Sequence, residues 1–205
     1  FITFEGPDGA GKTTQLEKLA DYIESINRPY IVTREPGGTR ISDAIRSLIL
    51  HPEHTEMINE TEVLLYAASR AQHVKEKIIP ALNEGYIVLC DRFVDASIAY
   101  QGYGLGIEID KIVQINKFAT GGLVPNRSYL IDISPERARD RLMQRNGQKA
   151  MDRIELKDIH YHEKVRHGFL SLYEQHRERI CLIDGHRSEQ EVFNEIVNDF
   201  RTILK

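Results

Sequence analysis

Short runs of apolar residues alternate along the chain with longer stretches in which apolar residues recur at the spacing of a helix. Runs of this kind are typical of strands that are buried on both faces. Because buried strands alternate with helices, the pattern predicts β-α-β units and a five-stranded parallel sheet flanked by helices on both faces. The expected strands are Phe1–Glu5, Tyr30–Thr33, Tyr86–Cys90, Ser128–Ile133 and Arg179–Ile183.

Three of the intervening stretches carry a clear apolar stripe, which we expect to face the core. The stripes are Leu16, Leu19, Ala20, Ile23 and Ile26 in the first helix, Val63, Ala67, Ala71, Val74, Ile78 and Leu82 in a second, and Val192, Ile196, Val197, Phe200, Ile203 and Leu204 in the last.

Composition and charge favour a single globular domain and argue against a disulfide-rich, nucleic-acid-binding or membrane-spanning protein. The 205 residues are 41% hydrophobic and show no repeat or linker, so we expect a single domain over residues 1–205. Two cysteines cannot build a disulfide scaffold, and a net charge of -4 gives no basic surplus for nucleic acid. No apolar run approaches the roughly 20 residues of a membrane span. We therefore expect a cytoplasmic protein with neither a nucleic-acid nor a membrane partner.

A glycine-rich motif lies between the first strand and the first helix. Residues 6–13 read GPDGAGKT and fit the phosphate-binding pattern G-x-x-x-x-G-K-[ST] in its required strand-loop-helix context. Its backbone N–H groups can surround phosphate oxygens, Lys12 can reach the outer phosphates of a nucleotide, and the Thr13 hydroxyl can hold Mg²⁺. The expected nucleotide-binding residues are Gly6, Pro7, Asp8, Gly9, Ala10, Gly11, Lys12, Thr13 and Thr14.

A second part of such a site is an acid at the end of an apolar strand. Asp91 directly follows Tyr86–Cys90 and is expected to face the metal. A GTPase switch is disfavoured because residues 116–119 read NKFA rather than N-K-x-D and no D-x-x-G follows Asp91. A motor ATPase would need a basic groove, for which the charge balance gives no sign. Transfer of phosphate to a small acceptor remains.

A phosphorylated acceptor needs cations to approach a second phosphate. Arg34, Arg46, Arg70 and Arg92 all lie near the carboxyl ends of predicted strands or on elements that can reach them. Tyr66 and Arg70 are four residues apart and share a helix face, so a planar base could stack on Tyr66 while Arg70 donates to its edge. Since arginine only donates, this pair fits thymine or uracil and rejects a cytosine amino group.

Taken together, the motifs resemble those of thymidylate kinases across nearly the whole chain. The supporting segments are FEGPDGAGKTTQ, TREPGGT, ASRAQH, CDRF followed by Ser97 and AYQG, and DRIE. The resemblance implies a P-loop nucleoside monophosphate kinase fold and a homodimer. It also implies Mg²⁺-dependent transfer of the γ-phosphate of ATP to dTMP, giving dTDP.

The resemblance also assigns residues to the acceptor. It implies that Arg34, Arg46 and Arg92 clamp the acceptor phosphate, and that Arg70, Ser97 and Gln101 read the thymine edge. It also implies that Tyr66 stacks on the base, that Pro36 approaches its methyl group, and that Tyr100 crowds the sugar 2′ position. Pro36 is expected to follow a cis bond. Asp8 is expected to contact the acceptor sugar or a water on the metal, and Glu35 is a weaker candidate.

The variable positions of the loop hold no arginine, as in the bacterial members of the family, which place a catalytic arginine in a lid. Residues 145–153 are polar, basic and interrupt two helical segments, so we expect the lid there. Arg145 and Arg153 are the matching arginines and would neutralise the transferring phosphoryl group. The expected catalytic set is Lys12, Asp8, Asp91, Arg92, Arg145 and Arg153.

Two alternatives remain open from the residues. One is a kinase of the same fold for dUMP, another nucleotide or a deoxynucleoside. The other is a regulatory protein that binds ATP without turnover. Cys90 and Cys181 lie in apolar strands, and we expect buried thiols without chemistry.

Overall fold

The computed structural model describes residues 1–146 and 151–204, without the side chains of residues 145 and 146. All strands of its sheet are parallel, in the order β2-β3-β1-β4-β5. Each expected strand is present, with bounds that differ by no more than a residue or two. The strands are β1 Ile2–Glu5, β2 Tyr30–Arg34, β3 Ile87–Asp91, β4 Arg127–Asp132 and β5 Ile180–Asp184.

Helices connect these strands and cover both faces of the sheet. The α-helices are α1 Lys12–Ser25, α2 Arg40–Leu50, α3 Asn59–His73, α4 Ile79–Asn83, α5 Val94–Ser97, α6 Ile109–Thr120, α7 Pro135–Asn146, α8 Ile159–Gln175 and α9 Glu189–Ile203. Two π-helical segments, Val74–Ile78 and Ile98–Gly104, continue α3 and α5. The predicted stripe from Val63 to Leu82 therefore spans α3, a π-helical segment and α4 rather than one α-helix.

The core has a layer on each face of the sheet. On one face, Leu19 of α1 and Phe200 of α9 are buried in a cluster that includes Phe4 of β1. On the other, Val165 and Phe169 of α8 are buried in a cluster that includes Leu130 of β4. The predicted three-layer arrangement is confirmed. No helix within residues 1–146 or 151–204 combines the length and apolar character needed to cross a bilayer.

The strand order determines where a ligand can bind. The chain crosses from β1 past β3 to β2, returns to β3, and then places β4 on the opposite side of β1. This reversal leaves a crevice at the carboxyl ends of β1 and β3. Asp91 is in register with Phe4 on one side and Arg34 on the other, so the ends of β1, β2 and β3 lie side by side.

Candidate active site

The phosphate-binding loop connects β1 to α1, as its motif requires. Gly6 has a φ of +127°, and a Cβ there would lie 2.4 Å from the Ile131 carbonyl oxygen, so only glycine fits. The buried Lys12 begins α1 and donates from Nζ to the Pro7 carbonyl at 2.9 Å, which closes the loop on itself. Free backbone N–H groups at the start of α1 make the loop suitable for phosphate.

Thr13 and Asp91 meet beside this loop. The Thr13 hydroxyl donates to Asp91 Oδ2 at 2.9 Å, and Asp91 Oδ1 is buried without a hydrogen-bond partner among the described residues. A hydroxyl beside a carboxylate oxygen that lacks a partner is a donor set that suits Mg²⁺, which prefers oxygen ligands and takes the rest from phosphates and water. Residues 1–146 and 151–204 hold no cluster of three or more His, Cys, Asp or Glu side chains that could bind a metal alone.

Arg92 connects β3 to the loop. It adopts a left-handed φ of 69°, and its guanidinium donates to Asp8 at 2.7 Å and to the Gly6 carbonyl at 3.1 Å. The guanidinium also lies over the Tyr100 ring at 4.8 Å. Burial alone would raise the pKa of Asp8, but the charges of Arg92 and Lys12 hold it well below its usual value. A left-handed conformation outside glycine is uncommon and is maintained here by these contacts.

Most of the predicted acceptor residues line one depression, which we call the deep pocket. It opens into a cleft that contains Gly9, Lys12, Thr13, Asp91 and Arg34. The residues common to both are Asp8, Glu35, Arg46, Arg92 and Asp152. The Glu35-Pro36 peptide bond is cis, as expected. The deep pocket is lined by Asp8, Glu35, Pro36, Arg46, Leu50, Tyr66, Arg70, Arg92, Ala96, Ser97, Tyr100, Gln101, Asp152 and Ile154.

Arg70 is held by acceptors from four parts of the chain. Its Nε donates to Glu35 at 2.6 Å, and its Nη2 donates to the Phe93 carbonyl at 2.9 Å. Its Nη1 donates to Ser97 at 2.8 Å and to Asn116 of α6. A guanidinium has five N–H groups, so these bonds leave one on Nη2. The arginine is 2% exposed and its orientation is fixed.

Glu35 is itself held by a second chain of contacts. His73 Nδ1 lies 3.0 Å from Glu35 Oε1, and His73 Nε2 lies 2.7 Å from the Thr33 hydroxyl. Gly38 packs closely against His73 and Thr33, since a Cβ at position 38 would lie 2.6 Å from both His73 Nε2 and the Thr33 hydroxyl oxygen. Residues 36–38, β2 and α3 are therefore joined next to the deep pocket, which Glu35 lines.

Gln101 and Arg153 share one carboxylate. Gln101 Nε2 donates to Glu62 Oε1 at 2.9 Å, and Arg153 Nη2 donates to Glu62 Oε2 at 2.6 Å. Arg153 is buried, and its Nε donates to the Ile49 carbonyl at the end of α2. None of these partners belongs to the phosphate-binding loop. The role of Arg153 at the transferring phosphoryl group stays a prediction, and the Arg145 side chain lies outside the described part of the chain.

Arg34 and Arg46 lie at the mouth of the deep pocket. Arg34 is exposed and pairs with Asp43 at 3.1 Å, whereas Arg46 is half-buried and donates to the Pro36 carbonyl at 2.8 Å. Burial, and after it the positive charge of Arg34, lowers the pKa of Arg46. Two cations that repel one another at a cleft form a site for an anion.

Three residues of the site, Asn116, Glu62 and Arg141, are not predicted from the sequence. Asn116 appears there only in an incomplete guanine-binding motif. Glu62 precedes Tyr66 and Arg70 at steps of four residues, a spacing that places all three on one helix face. Arg141 of α7 lines the cleft and donates to the carbonyls of Ala10 at 3.4 Å and Gly185 at 3.0 Å. No motif distinguished it from the other arginines of α7.

Comparisons with known proteins agree on one family. A family model described as Thymidylate kinase matches residues 4–196. Thymidylate kinase of Exiguobacterium sibiricum is 54% identical over 205 residues, covering 100% of this chain and 95% of that protein. Thymidylate kinase of Geobacillus sp. (strain WCH70) is 50% identical over 193 residues, covering 94% and 91%.

A solved structure supports the same assignment. The crystal structure of thymidylate kinase from Ehrlichia chaffeensis superposes with a TM-score of 0.78 at 32% identity, covering 98% of this chain and 97% of that one. The chain therefore belongs to the thymidylate kinase family and is an ATP-dependent nucleoside monophosphate kinase that transfers the γ-phosphate of ATP to dTMP.

Proposed function

We propose that the deep pocket recognises thymine through a paired donor and acceptor. The proposal rests on the hydrogen-bonding groups that the side chains of Arg70 and Gln101 leave unused within the protein. Arg70 keeps one N–H group beyond its four protein bonds, and Gln101 Oε1 is buried without a partner among the described residues. Thymine offers the O4 carbonyl and the N3–H group, which complement both. Cytosine offers an amino group and a bare nitrogen, which oppose both.

The resemblance to thymidylate kinases implies the remaining acceptor contacts, and the residues concerned all line the deep pocket. Tyr66 stacks on the base, Pro36 lies near its methyl group, and Tyr100 crowds the sugar 2′ position. The Tyr100 ring is buried beneath the Arg92 guanidinium, so it cannot move aside for a 2′-hydroxyl. Asp8, whose Oδ2 accepts from the Tyr100 hydroxyl at 3.3 Å, lies close enough to contact the sugar.

The acceptor phosphate then lies where the deep pocket meets the cleft. Arg92 and Arg46 belong to both regions, and Arg34 lies at the cleft. These charges offset the repulsion between the acceptor phosphate and the γ-phosphate of ATP. Lys12 and the loop backbone orient the donor phosphates. This set of cations performs the clamping on which in-line transfer depends.

Thr13 and Asp91 would hold Mg²⁺ with the donor phosphates. Their hydroxyl and carboxylate oxygens are close together, and one carboxylate oxygen lacks a protein partner among the described residues. When bound, the ion supplies positive charge to the phosphates. An Asp91→Asn variant is expected to need more Mg²⁺ for half-maximal turnover, while a turnover rate independent of added Mg²⁺ would contradict this assignment.

We further propose a homodimer, formed through helices that lie side by side. α3 packs against both α2 and α6, and Leu48, Leu64 and Phe118 project from these three helices into solvent. Phe118 is 91% exposed, which is costly for a large aromatic side chain unless a partner covers it. Sedimentation velocity should show a dimer that Phe118→Glu converts to monomers. Met143→Glu, at an exposed position of α7, should leave the dimer intact.

The reaction supports a cytoplasmic enzyme, because it draws on ATP as phosphate donor. Cell fractionation tests this placement: activity should follow the cytoplasmic fraction. Recovery of the activity in a membrane fraction would contradict it.

Calorimetric titration of the ATP-free protein tests the base assignment. We expect dTMP and dUMP to bind and dCMP to bind at least tenfold more weakly, since two hydrogen bonds are replaced by two like-polarity contacts. Equal affinity for dTMP and dCMP would contradict it. UMP should bind more weakly than dUMP if Tyr100 excludes the 2′-hydroxyl.

A further inference from the structure

Glu62 is a buried carboxylate behind Gln101, a residue that lines the deep pocket, and the reaction chemistry gives it no direct use. It is 1% exposed and belongs to α3, two turns before Arg70. Oε1 accepts from Gln101 Nε2 at 2.9 Å, and Oε2 accepts from Arg153 Nη2 at 2.6 Å. Each oxygen of the carboxylate thus holds a different side chain.

The contact with Gln101 fixes which end of the amide faces the ligand. A carboxylate only accepts hydrogen bonds, so the amide nitrogen must point to Glu62 and the amide oxygen away from it. That oxygen is buried and has no hydrogen-bond partner among the described residues, although Gln101 lines the deep pocket. A buried acceptor without a partner is costly and is satisfied when a ligand donates to it.

Arg153 is the cation that pairs with Glu62. Its guanidinium supplies the opposite charge, and its own position is fixed by the end of α2, where Nε donates to the Ile49 carbonyl at 2.8 Å and the backbone N–H donates to the Leu50 carbonyl at 3.2 Å. A buried carboxylate that lost this partner would be strongly disfavoured. The two charges therefore act together on the Gln101 amide.

We propose that Glu62 is a specificity-determining positioning residue, which holds the Gln101 amide so that its oxygen faces the base and selects a ring nitrogen that carries hydrogen. The inference rests on the base assignment made above. Without Glu62 the amide can turn over and present its nitrogen, which pairs with a ring nitrogen that lacks hydrogen. Thymine and cytosine differ in this way at N3.

The test compares Glu62→Gln, Gln101→Ala and the double variant by steady-state kinetics with dTMP. A glutamine at position 62 offers either end of its amide, so it no longer dictates the Gln101 orientation. We expect Glu62→Gln to raise the KM for dTMP roughly tenfold and to leave the KM for ATP unchanged. The double variant should be no worse than Gln101→Ala, because Glu62 acts through Gln101. Glu60→Gln, exposed in the same helix, is the matched control and should match the wild type.

Three results separate the possible failures. An unchanged KM for dTMP in Glu62→Gln, or losses that add fully in the double variant, would overturn the proposal, since either indicates a merely structural role. If Glu62→Gln does not fold, Glu62→Gln combined with Arg153→Met removes both buried charges and must show the same rise in KM. A wild-type enzyme that does not favour dTMP over dCMP would instead overturn the base assignment, before any variant is made.

Discussion

Arg92 and Asp8 form an ion pair of 2.7 Å that joins the end of β3 to the phosphate-binding loop. The Arg92 backbone remains in the sheet, because its N–H donates to the Phe4 carbonyl at 2.9 Å, while its left-handed conformation turns the side chain toward the loop. The pair therefore links the phosphate donor side of the site to the acceptor side. It also makes the charge of Asp8 important for the stability of the fold.

The stability of the pair should depend on pH. The folded-state pKa of Asp8 lies below the unfolded value of about 3.9, so the pair stabilises the fold above about pH 4, and this contribution disappears as the pH falls toward the folded-state pKa. Asp8→Asn should lower the thermal midpoint at pH 7, and the difference from wild type should shrink at pH 3. Thermal melts at several pH values check this. A difference that stays constant across the range would contradict it.

Lys12 should be required for turnover and not for folding. Lys12→Ala removes the cation that reaches the outer phosphates, and we expect the rate to fall by about 100-fold or more. Circular dichroism should show an unchanged helix content. Lys18→Ala is the matched control, because Lys18 lies in the same helix and pairs with Glu189 instead. A Lys12→Ala variant with a near-normal rate would refute the assignment of the loop.

Glu35 should contribute strongly to the free energy of unfolding. It accepts from both Arg70 and His73 and is 3% exposed. Glu35→Gln leaves the Arg70 charge buried without its partner, so urea unfolding should show a loss of about 3 kcal/mol. Glu108→Gln breaks an exposed pair with Lys111 and should cost less than about 1 kcal/mol. Equal losses of unfolding free energy in Glu35→Gln and Glu108→Gln would mean that burial does not determine how much each ion pair stabilises the protein.

Neither thiol should react in the folded protein. Burial raises the pKa of Cys90 well above its usual value and that of Cys181 to about 11, so little thiolate exists at neutral pH. Mass spectrometry should find no iodoacetamide adduct at pH 7.5 in the native protein and two adducts in urea. Rapid native alkylation of Cys90 would show that its strand opens.

The parts of the site that follow from sequence are those encoded locally. The loop at residues 6–13, Asp91 at a strand end and the pair Tyr66 and Arg70 on one helix face all depend on neighbours within a few residues. These features could be predicted without coordinates. The strand order, and with it the adjacent positions of β1 and β3, could not, because the general rules for parallel sheets fix the handedness of each crossover and leave several strand orders open.

The supporting contacts could not be predicted, because they join distant segments. Arg153 pairs with Glu62 across 91 positions, and Arg70 meets Asn116 across 46. The motif around Arg153 predicts a catalytic arginine and does not indicate that this arginine pairs with the buried Glu62. No local pattern records such a pairing.

Turnover with a panel of acceptors tests the central claim most directly. ADP release from ATP and Mg²⁺ would be followed with dTMP, dUMP, UMP, dCMP, dAMP or dGMP, and without an acceptor. We predict the highest kcat/KM with dTMP, a lower value with dUMP and a value near background with dCMP. Another preferred acceptor would contradict the assignment of Arg70 and Gln101 to the thymine edge. ATP binding without turnover on any acceptor would contradict the kinase itself and favour a regulatory nucleotide-binding protein.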